Sequence, residues 1–493
     1  MHLRQNVNKN WIYIYQSFQF MIGFIAIIVA CNLTQCNFLI ILIISGLYFC
    51  LQKQEGMAYI CLIIFPMLSI LRSPYVLQQT KFFAIYSRIG ILVLSVVYII
   101  TFYSSQRQMR NPLQGILLFL ICAIISSILG YYPLISLLKI INFGFFVFGL
   151  YVGVYKLKDS PEHLFLARSA FMGFSLFIIL GSIMLRLFSP SLAYATNVSQ
   201  YLREGAIEEA TRVITSGNVL LLFSGVTNQP QTLGPILVLL NGWLLCDMLL
   251  IEKRIDIFHS MLVLLASVLI MMTRCRTALL SFGIMLIFTM AYILSNIQNT
   301  DILFLHVRKV FGLIMIILIV ACVWLEVNQK MFSLWLRKTN NSLEDQRSFE
   351  SALFSSRKDK IDESIEDFRD SPIWGIGFQI TRNLRFRSWG NNFFSAPVEK
   401  SILPVAILGE TGMIGFMIFC LFLIHFWRKC RQWHMAVTLG LFIIFIIINF
   451  GEAMFFSPSG LGGIMWCISI TGGFIIDTLI RIEGTIVTTS PHS

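Results

Sequence analysis

Charge is scarce in this sequence. Only 13% of its 493 residues are Asp, Glu, Lys or Arg, about half the share found in soluble globular proteins. A water-soluble enzyme and a disordered polar tail are excluded on that ground. Metal-ligand spacing is missing among the 11 cysteines, and a disulfide-stapled secreted module does not fit a chain of this length and composition. No phosphate loop, dinucleotide fingerprint or zinc spacing is present, so no cofactor or metal is expected. No internal repeat is visible either.

What stands in place of charge is apolar side chain. Hydrophobic residues make up 57% of the chain, and the mean hydropathy is +0.77. Apolar runs of spanning length recur from Trp11 to Ile480, so the bilayer is the solvent for most of the protein. In lipid every backbone N–H and C=O must be paired within the protein. The runs are continuous rather than alternating in ten-residue segments, which selects helices over a barrel. The expected fold class is an all-α integral membrane protein: a polytopic bundle of about 12–14 transmembrane helices with a large, mainly helical extracytoplasmic loop. The spans fall near 11–31, 38–51, 56–72, 83–103, 113–130, 134–154, 164–187, 233–251, 256–272, 277–297, 310–327, 401–425, 434–451 and 460–480. Cys50, Cys61, Cys122, Cys246, Cys322, Cys420 and Cys467 lie inside them, where cysteine acts as a small hydrophobe.

The net charge of +12 would suggest nucleic acid on a soluble domain. Here it orients the helices, because short basic loops face the cytoplasm. With the amino terminus inside, the inner loops collect Lys53, Arg107, Arg110, Lys156, Lys158, Lys253, Arg254, Arg308, Lys309, Arg428, Lys429 and Arg431. Both termini are then cytoplasmic and no nucleic acid partner is expected. The chain divides into an N-terminal bundle (1–188), a first outer loop (189–232), central spans (233–327), a large outer loop (328–400) and C-terminal spans (401–493). The large loop packs 12 Lys/Arg and 10 Asp/Glu into 73 positions. Loops of that length are usually functional.

Arg274 and Arg276 sit in a tight outer turn, against the orienting rule. That cost suggests an anionic ligand; the plainer reading is snorkelling to headgroups. In the large loop, Ile361, Ile365 and Phe368 form the apolar stripe of one helix, with Arg357 at the top of that face. Asp359, Asp362, Glu363, Glu366 and Asp367 cover the rest, and Ser371-Pro372 ends it. Gly375 and Gly377 then permit a tight turn beside Trp374 and Phe378. Arg382, Arg385 and Arg387 follow, interleaved with Leu384 and Phe386. Such a mixture binds sugars and phosphates, or is a solvated basic face. Glu399 and Lys400 close the loop, and Glu410 lies deeper, where an ionisable group is functional by default. It could instead pair with Arg88, Lys139, Arg168 or Arg186.

Four pieces, in order, resemble the O-antigen ligase and polysaccharide polymerase superfamily. They are Phe223-Ser224-Gly225-Val226-Thr227-Asn228-Gln229-Pro230-Gln231-Thr232-Leu233-Gly234; Arg276-Thr277-Ala278-Leu279-Leu280; Ser355-Ser356-Arg357 with Asp370-Ser371-Pro372-Ile373-Trp374-Gly375-Ile376-Gly377-Phe378; and Glu399-Lys400-Ser401 leading to Gly409-Glu410-Thr411-Gly412-Met413-Ile414-Gly415. The resemblance implies metal-independent glycosyl transfer on the outer face of a bacterial inner membrane. The donor would be an oligosaccharide on undecaprenyl pyrophosphate. The acceptor would be another lipid-linked chain (polymerase) or lipid A core (ligase). Membrane lipids, a chain-length regulator and a flippase are the other expected partners. The family's ligases carry a histidine in the outer loop. None of the seven histidines here, His2, His163, His259, His306, His425, His434 and His492, falls on the outer side of this topology, which favours a polymerase. A transporter of lipid-linked sugars is the rival outside the enzyme class; it should show repeated halves.

The chemistry assigns roles to the candidates. A departing pyrophosphate gains negative charge, so fixed cations must face it. Arg276 and Arg357 are the candidates, with Arg274 assisting and Arg382, Arg385, Arg387 and Lys400 binding substrate. The attacking hydroxyl needs a base, which is Glu399 or Glu410, unless leaving-group charge alone drives the reaction.

Overall fold

The apolar runs become helices. The structure is a computed structural model and describes residues 2–34, 37–71, 80–103, 114–188, 193, 223–227, 229–252, 256–273, 275–296, 358–380 and 402–489. In chain order the helices are α1 (His2–Leu33), α2 (Phe38–Leu51), α3 (Glu55–Ser69), α4 (Thr80–Phe102), α5 (Gln114–Leu129), α6 (Pro133–Leu157), α7 (Pro161–Phe188), α8 (Pro230–Cys246), α9 (Ile257–Thr273), α10 (Arg276–Asn296), α11 (Lys358–Asp370), α12 (Leu403–Gln432), α13 (Ala436–Asn449), α14 (Gly460–Trp466) and α15 (Gly473–Thr489). Every expected span within the described residues is found; the one at 310–327 lies outside them. The all-α membrane bundle expected from composition is what the chain forms.

Span lengths are less uniform than the hydropathy suggests. Among the described residues six helical stretches are long and apolar enough to cross a membrane. Others, such as α2 with 14 residues, cover only about 21 Å at 1.5 Å per residue. Two spans contain a widened turn. A π-helix at Asp247–Ile251 extends α8, and another at Cys467–Gly472 joins α14 to α15. Such turns disturb the regular ladder, and side chains compensate: Trp243 Nε1 donates to the Gly472 carbonyl at 3.1 Å.

Contacts sort the helix ends into two sets, as an alternating bundle requires. At one end Arg168 of α7 forks onto Asp247 at 2.7 and 3.0 Å and reaches Glu252 at 2.7 Å. Tyr13 of α1 donates to Asp247 at 3.2 Å and lies under the guanidinium, 4.0 Å from its centre. His259 of α9 stands 3.4 Å from the same carboxylate. Lys156 pairs with Glu55 there, and Asp477 accepts from the free amides of Val437 and Thr438 at the start of α13. These are the ends assigned to the cytoplasm. At the other end lie Ser126, Lys139, Gln379, Glu410, Phe456 and Ser459, joined by the bonds described below.

The inner cluster ties α1, α7, α8 and α9 together. Its two central side chains are 4% and 0% exposed, so neither charge is solvated if its partner is removed. Leaving one member of a buried ion pair alone costs about 3–5 kcal/mol. Asp247→Ala should therefore lose stability on that scale, read by thermal unfolding in detergent. Asp256→Ala, at a carboxylate 30% exposed, should lose less than about 1 kcal/mol.

Candidate functional site

The end of the bundle that holds Glu410 is organised by a break in α12. Gly412 has φ 67° and ψ −169°, a backbone region open in practice to glycine alone. A continuous helix would bond the amides of residues 413 and 414 to the carbonyls of 409 and 410. Here all four groups find partners in the turn after α11. Met413 N–H donates to the Pro372 carbonyl at 2.8 Å and Ile414 N–H to Ile373 at 3.4 Å; Ile376 N–H donates to Gly409 and Gly377 N–H to Glu410, both at 3.0 Å. Each lost helical bond is thus replaced on both sides, which matters where an unpaired backbone group costs several kcal/mol. Segment 371–380 is therefore wedged into the bundle.

Side chains from the N-terminal bundle hold the wedge. Ser126 of α5 donates to the Glu410 carbonyl at 2.7 Å, and Tyr131 N–H donates to the Ile376 carbonyl at 3.1 Å. The hydroxyls of Ser127 and Ser136 bond each other; Ser136 donates to the Phe378 carbonyl at 2.9 Å, and Phe378 N–H to Ser127 at 3.3 Å. Below them Phe378 packs on Phe456, with ring centres 5.1 Å apart, and Phe456 stacks on Phe119 at 5.0 Å.

Glu410 sits at the last turn before the break, 4% exposed. Arg276 starts α10 and is half-buried. Gly234 of α8 packs against Ala278 and Thr273, and Gly451 against Thr277. The first two sequence motifs are thereby brought together, as the last two are at Gly412. Arg276 and Glu410 are linked indirectly, through the loop from Gly451 to Ser459: its start touches Thr277, and its Phe456 carbonyl accepts from Gln379 Nε2 at 2.7 Å. A guanidinium at a helix amino terminus is a place that favours an anion.

The structure places Arg276 and Glu410 at one end of the bundle. Arg274, Arg357, Arg382, Arg385, Arg387, Glu399 and Lys400 lie outside the described residues. The structure sets aside one suggested partner of Glu410. Arg168 belongs to the inner cluster and is not a partner, because Asp247 and Glu252 hold it there. Arg186 donates to the Met272 sulfur, Arg88 to Ser459 Oγ at 3.0 Å, and Lys139 to the Gln379 carbonyl. The α11 helix needs one correction. Asp367 is not part of its solvated acidic cover; it is fully buried with Ser364, facing Gly409, where the absent side chain lets the helix approach.

Sequence reasoning passes over Glu452, which is 4% exposed in the loop that touches Thr277, and over Gln379 and Ser459. For Glu452 the signal was available, as an acid between two apolar runs. For Gln379 and Ser459 it was not, since their partners are hundreds of residues or several helices away. Among the described residues no cluster of three or more His, Cys, Asp or Glu side chains is set to hold a metal.

The wedge makes a specific demand at Gly375, whose φ is +74° and where a Cβ would lie 2.4 Å from the Glu410 carbonyl carbon. Gly375→Ala should combine about 1–2 kcal/mol of backbone strain with about 1–3 of overpacking. Gly460 has φ +66° but open space around it, so Gly460→Ala should show the strain alone. Thermal unfolding of both variants checks the difference.

Comparison with known proteins fits this geometry. No curated protein and no solved structure matches the chain. Residues 261–420 match the family model described as O-Antigen ligase, a stretch holding Arg276, α11, the wedge and the break at Gly412. Over that third of its length the chain is similar to the O-antigen ligase family, in the stretch that holds the last three of the four motifs.

Proposed function

We propose that the protein is a polysaccharide polymerase acting at the outer face of a bacterial inner membrane. It moves a glycan from an undecaprenyl-pyrophosphate donor to a sugar hydroxyl of another lipid-linked oligosaccharide. The acceptor oxygen forms a bond to the donor's anomeric carbon. The bond from that carbon to the phosphate oxygen breaks, and undecaprenyl pyrophosphate leaves with the electron pair. The hydroxyl proton goes to a carboxylate, Glu410 or Glu399. Arg276 and Arg357 face the leaving diphosphate with Arg274 beside them, and Arg382, Arg385, Arg387 and Lys400 hold the phosphates and sugars.

What supports the reading is that Arg276 and Glu410, both inside the family match, stand at the same end of the bundle, the end that the loop charges put outside. A half-buried guanidinium suits a diphosphate, because it stays charged near lipid and forks onto phosphate oxygens. A carboxylate buried at that end of the bundle suits proton removal. The family description also supports a ligase, with lipid A core as acceptor. Against it, His163 and His259 stand at the end of the bundle away from Glu410: His163 against Gly56 at the start of α3, His259 in the Asp247 cluster. A chain-length regulator and a flippase are the proposed protein partners.

Membranes carrying the protein, given lipid-linked oligosaccharide, should make polymer. Arg276→Ala should cut the rate by about 100-fold or more with insertion unchanged; near-normal polymer would remove Arg276 from the site. Rate against pH in Glu410→Gln and Glu399→Gln should show a large loss in one of them, and an unchanged rate rejects that carboxylate as the base. Product attached to added lipid A core, with no lengthened lipid-linked chains, would make the protein a ligase.

A further inference from the structure

Beyond its break at Gly412, α12 continues from Met413 to Gln432. That stretch covers about 30 Å at 1.5 Å per residue, close to the thickness of the hydrocarbon core. Its last turns therefore reach the headgroup layer on the side assigned to the cytoplasm. One face of it stays open. Met413, Met417, Leu421, Ile424 and Trp427 are all exposed, and their spacing of three and four residues puts them on a single helix face. Arg428 and Arg431 carry that face on by one turn and are exposed as well.

The surface is hollowed at this place. A groove of about 750 Å³ is lined, among the described residues, by Leu423, Ile424, Trp427, Arg428, Arg431 and Gln432. No ion pair among the described residues involves either arginine. Lys429 donates to Gln432 Oε1 at 3.1 Å. With its oxygen engaged, Gln432 has its NH2 group to offer, which is again a donor. One end of the groove thus presents donors and positive charge, and the other presents aliphatic side chains and an indole. Snorkelling accounts for a basic residue at a helix end. It does not account for a hollow with donors at one end and an apolar wall at the other.

We propose that this groove binds an anionic phospholipid of the inner leaflet, with its phosphate on Arg428 and Arg431 and an acyl chain along Ile424, Leu421 and Met417. Guanidinium forks match phosphate oxygens, and Trp427 lies where an interfacial ring belongs. A zwitterionic lipid would bring an ammonium beside two arginines that no carboxylate offsets. Charge complementarity therefore selects a lipid without an amine, of which phosphatidylglycerol is the simplest. The site stands at the far end of α12 from Glu410 and does not depend on the transfer reading.

Tryptophan fluorescence of the full-length protein in phosphatidylcholine vesicles tests this, because bromine on an acyl chain quenches an indole that it touches. Each protein is compared with its Trp427→Phe counterpart, so that the difference reports Trp427 alone. A small fraction of brominated phosphatidylglycerol should quench Trp427 about fivefold or more strongly than the same fraction of brominated phosphatidylcholine. Arg428→Gln combined with Arg431→Gln should bring that ratio near one. Lys53→Gln combined with Lys158→Gln removes the same charge from the same side at two exposed residues, and should leave the ratio unchanged. The single arginine variants give a second arm should the double variant fail to insert; each should lower the ratio on its own. A ratio near one in the unsubstituted protein would overturn the site. So would an equal loss in the lysine variant, which would assign the preference to surface charge at large. Quenching of Trp427 by neither lipid would mean that protein covers the groove, and would overturn the site too.

Discussion

A hydrogen bond broken in lipid must be remade, and α12 breaks two. The amides of Met413 and Ile414 and the carbonyls of Gly409 and Glu410 are all displaced by the conformation of Gly412. Water cannot serve them in the bundle. The turn after α11 supplies two carbonyls and two amides in the matching order. From this single exchange much of the outer end follows. It draws the turn after α11 into the bundle, fixes Glu410 at the last helical turn, and buries Asp367 between α11 and α12. It also explains why glycines crowd both strands of the contact: a side chain at Gly375 would occupy the Glu410 carbonyl.

The two ends of the bundle treat charge differently. At the inner end Arg168 is matched by Asp247 and Glu252, with Tyr13 and His259 completing the shell. Such a cluster holds four helices in register but leaves little opening for a ligand. At the outer end the charged groups are spread over separate elements. Arg88 comes from α4, Lys139 from α6, Arg276 from α10, Glu410 from α12 and Glu452 from the loop after α13. Arg88 and Lys139 donate to Ser459 and Gln379. A packed ion pair such as that of Arg168 and Asp247 serves stability or specificity of fold.

The helical membrane class was plain from hydropathy, because the bilayer imposes one period and one length on each crossing. The stop of α11 at Ser371-Pro372 and the turn at Gly375 and Gly377 were legible for the same reason: their cause is local. The start of α8 was read three residues late, at 233, although Pro230 suits a first helical turn. The break at Gly412 was not legible. Glycine within an apolar run reads as tolerated packing, and only the distant wedge reveals its conformation. Asp367 was misread because helical amphipathicity says which face is apolar, not that a polar face meets Gly409. Lys139 was seen as a charge in a span, but its partner stands 240 positions away. Arg276 was found through its place in an expected outer turn, and the contact of Thr277 with Gly451 came only with the fold.

The exchange of backbone bonds at Gly412 can be observed directly. Amide hydrogen exchange, followed by mass spectrometry on the full-length protein in nanodiscs, reports whether the N–H groups of Ile376, Gly377, Met413 and Ile414 are bonded. If the wedge sits as described, all four exchange as slowly as the amides in the middle of α12. Exchange of Ile376 and Gly377 within seconds, as in a loop open to water, would contradict it.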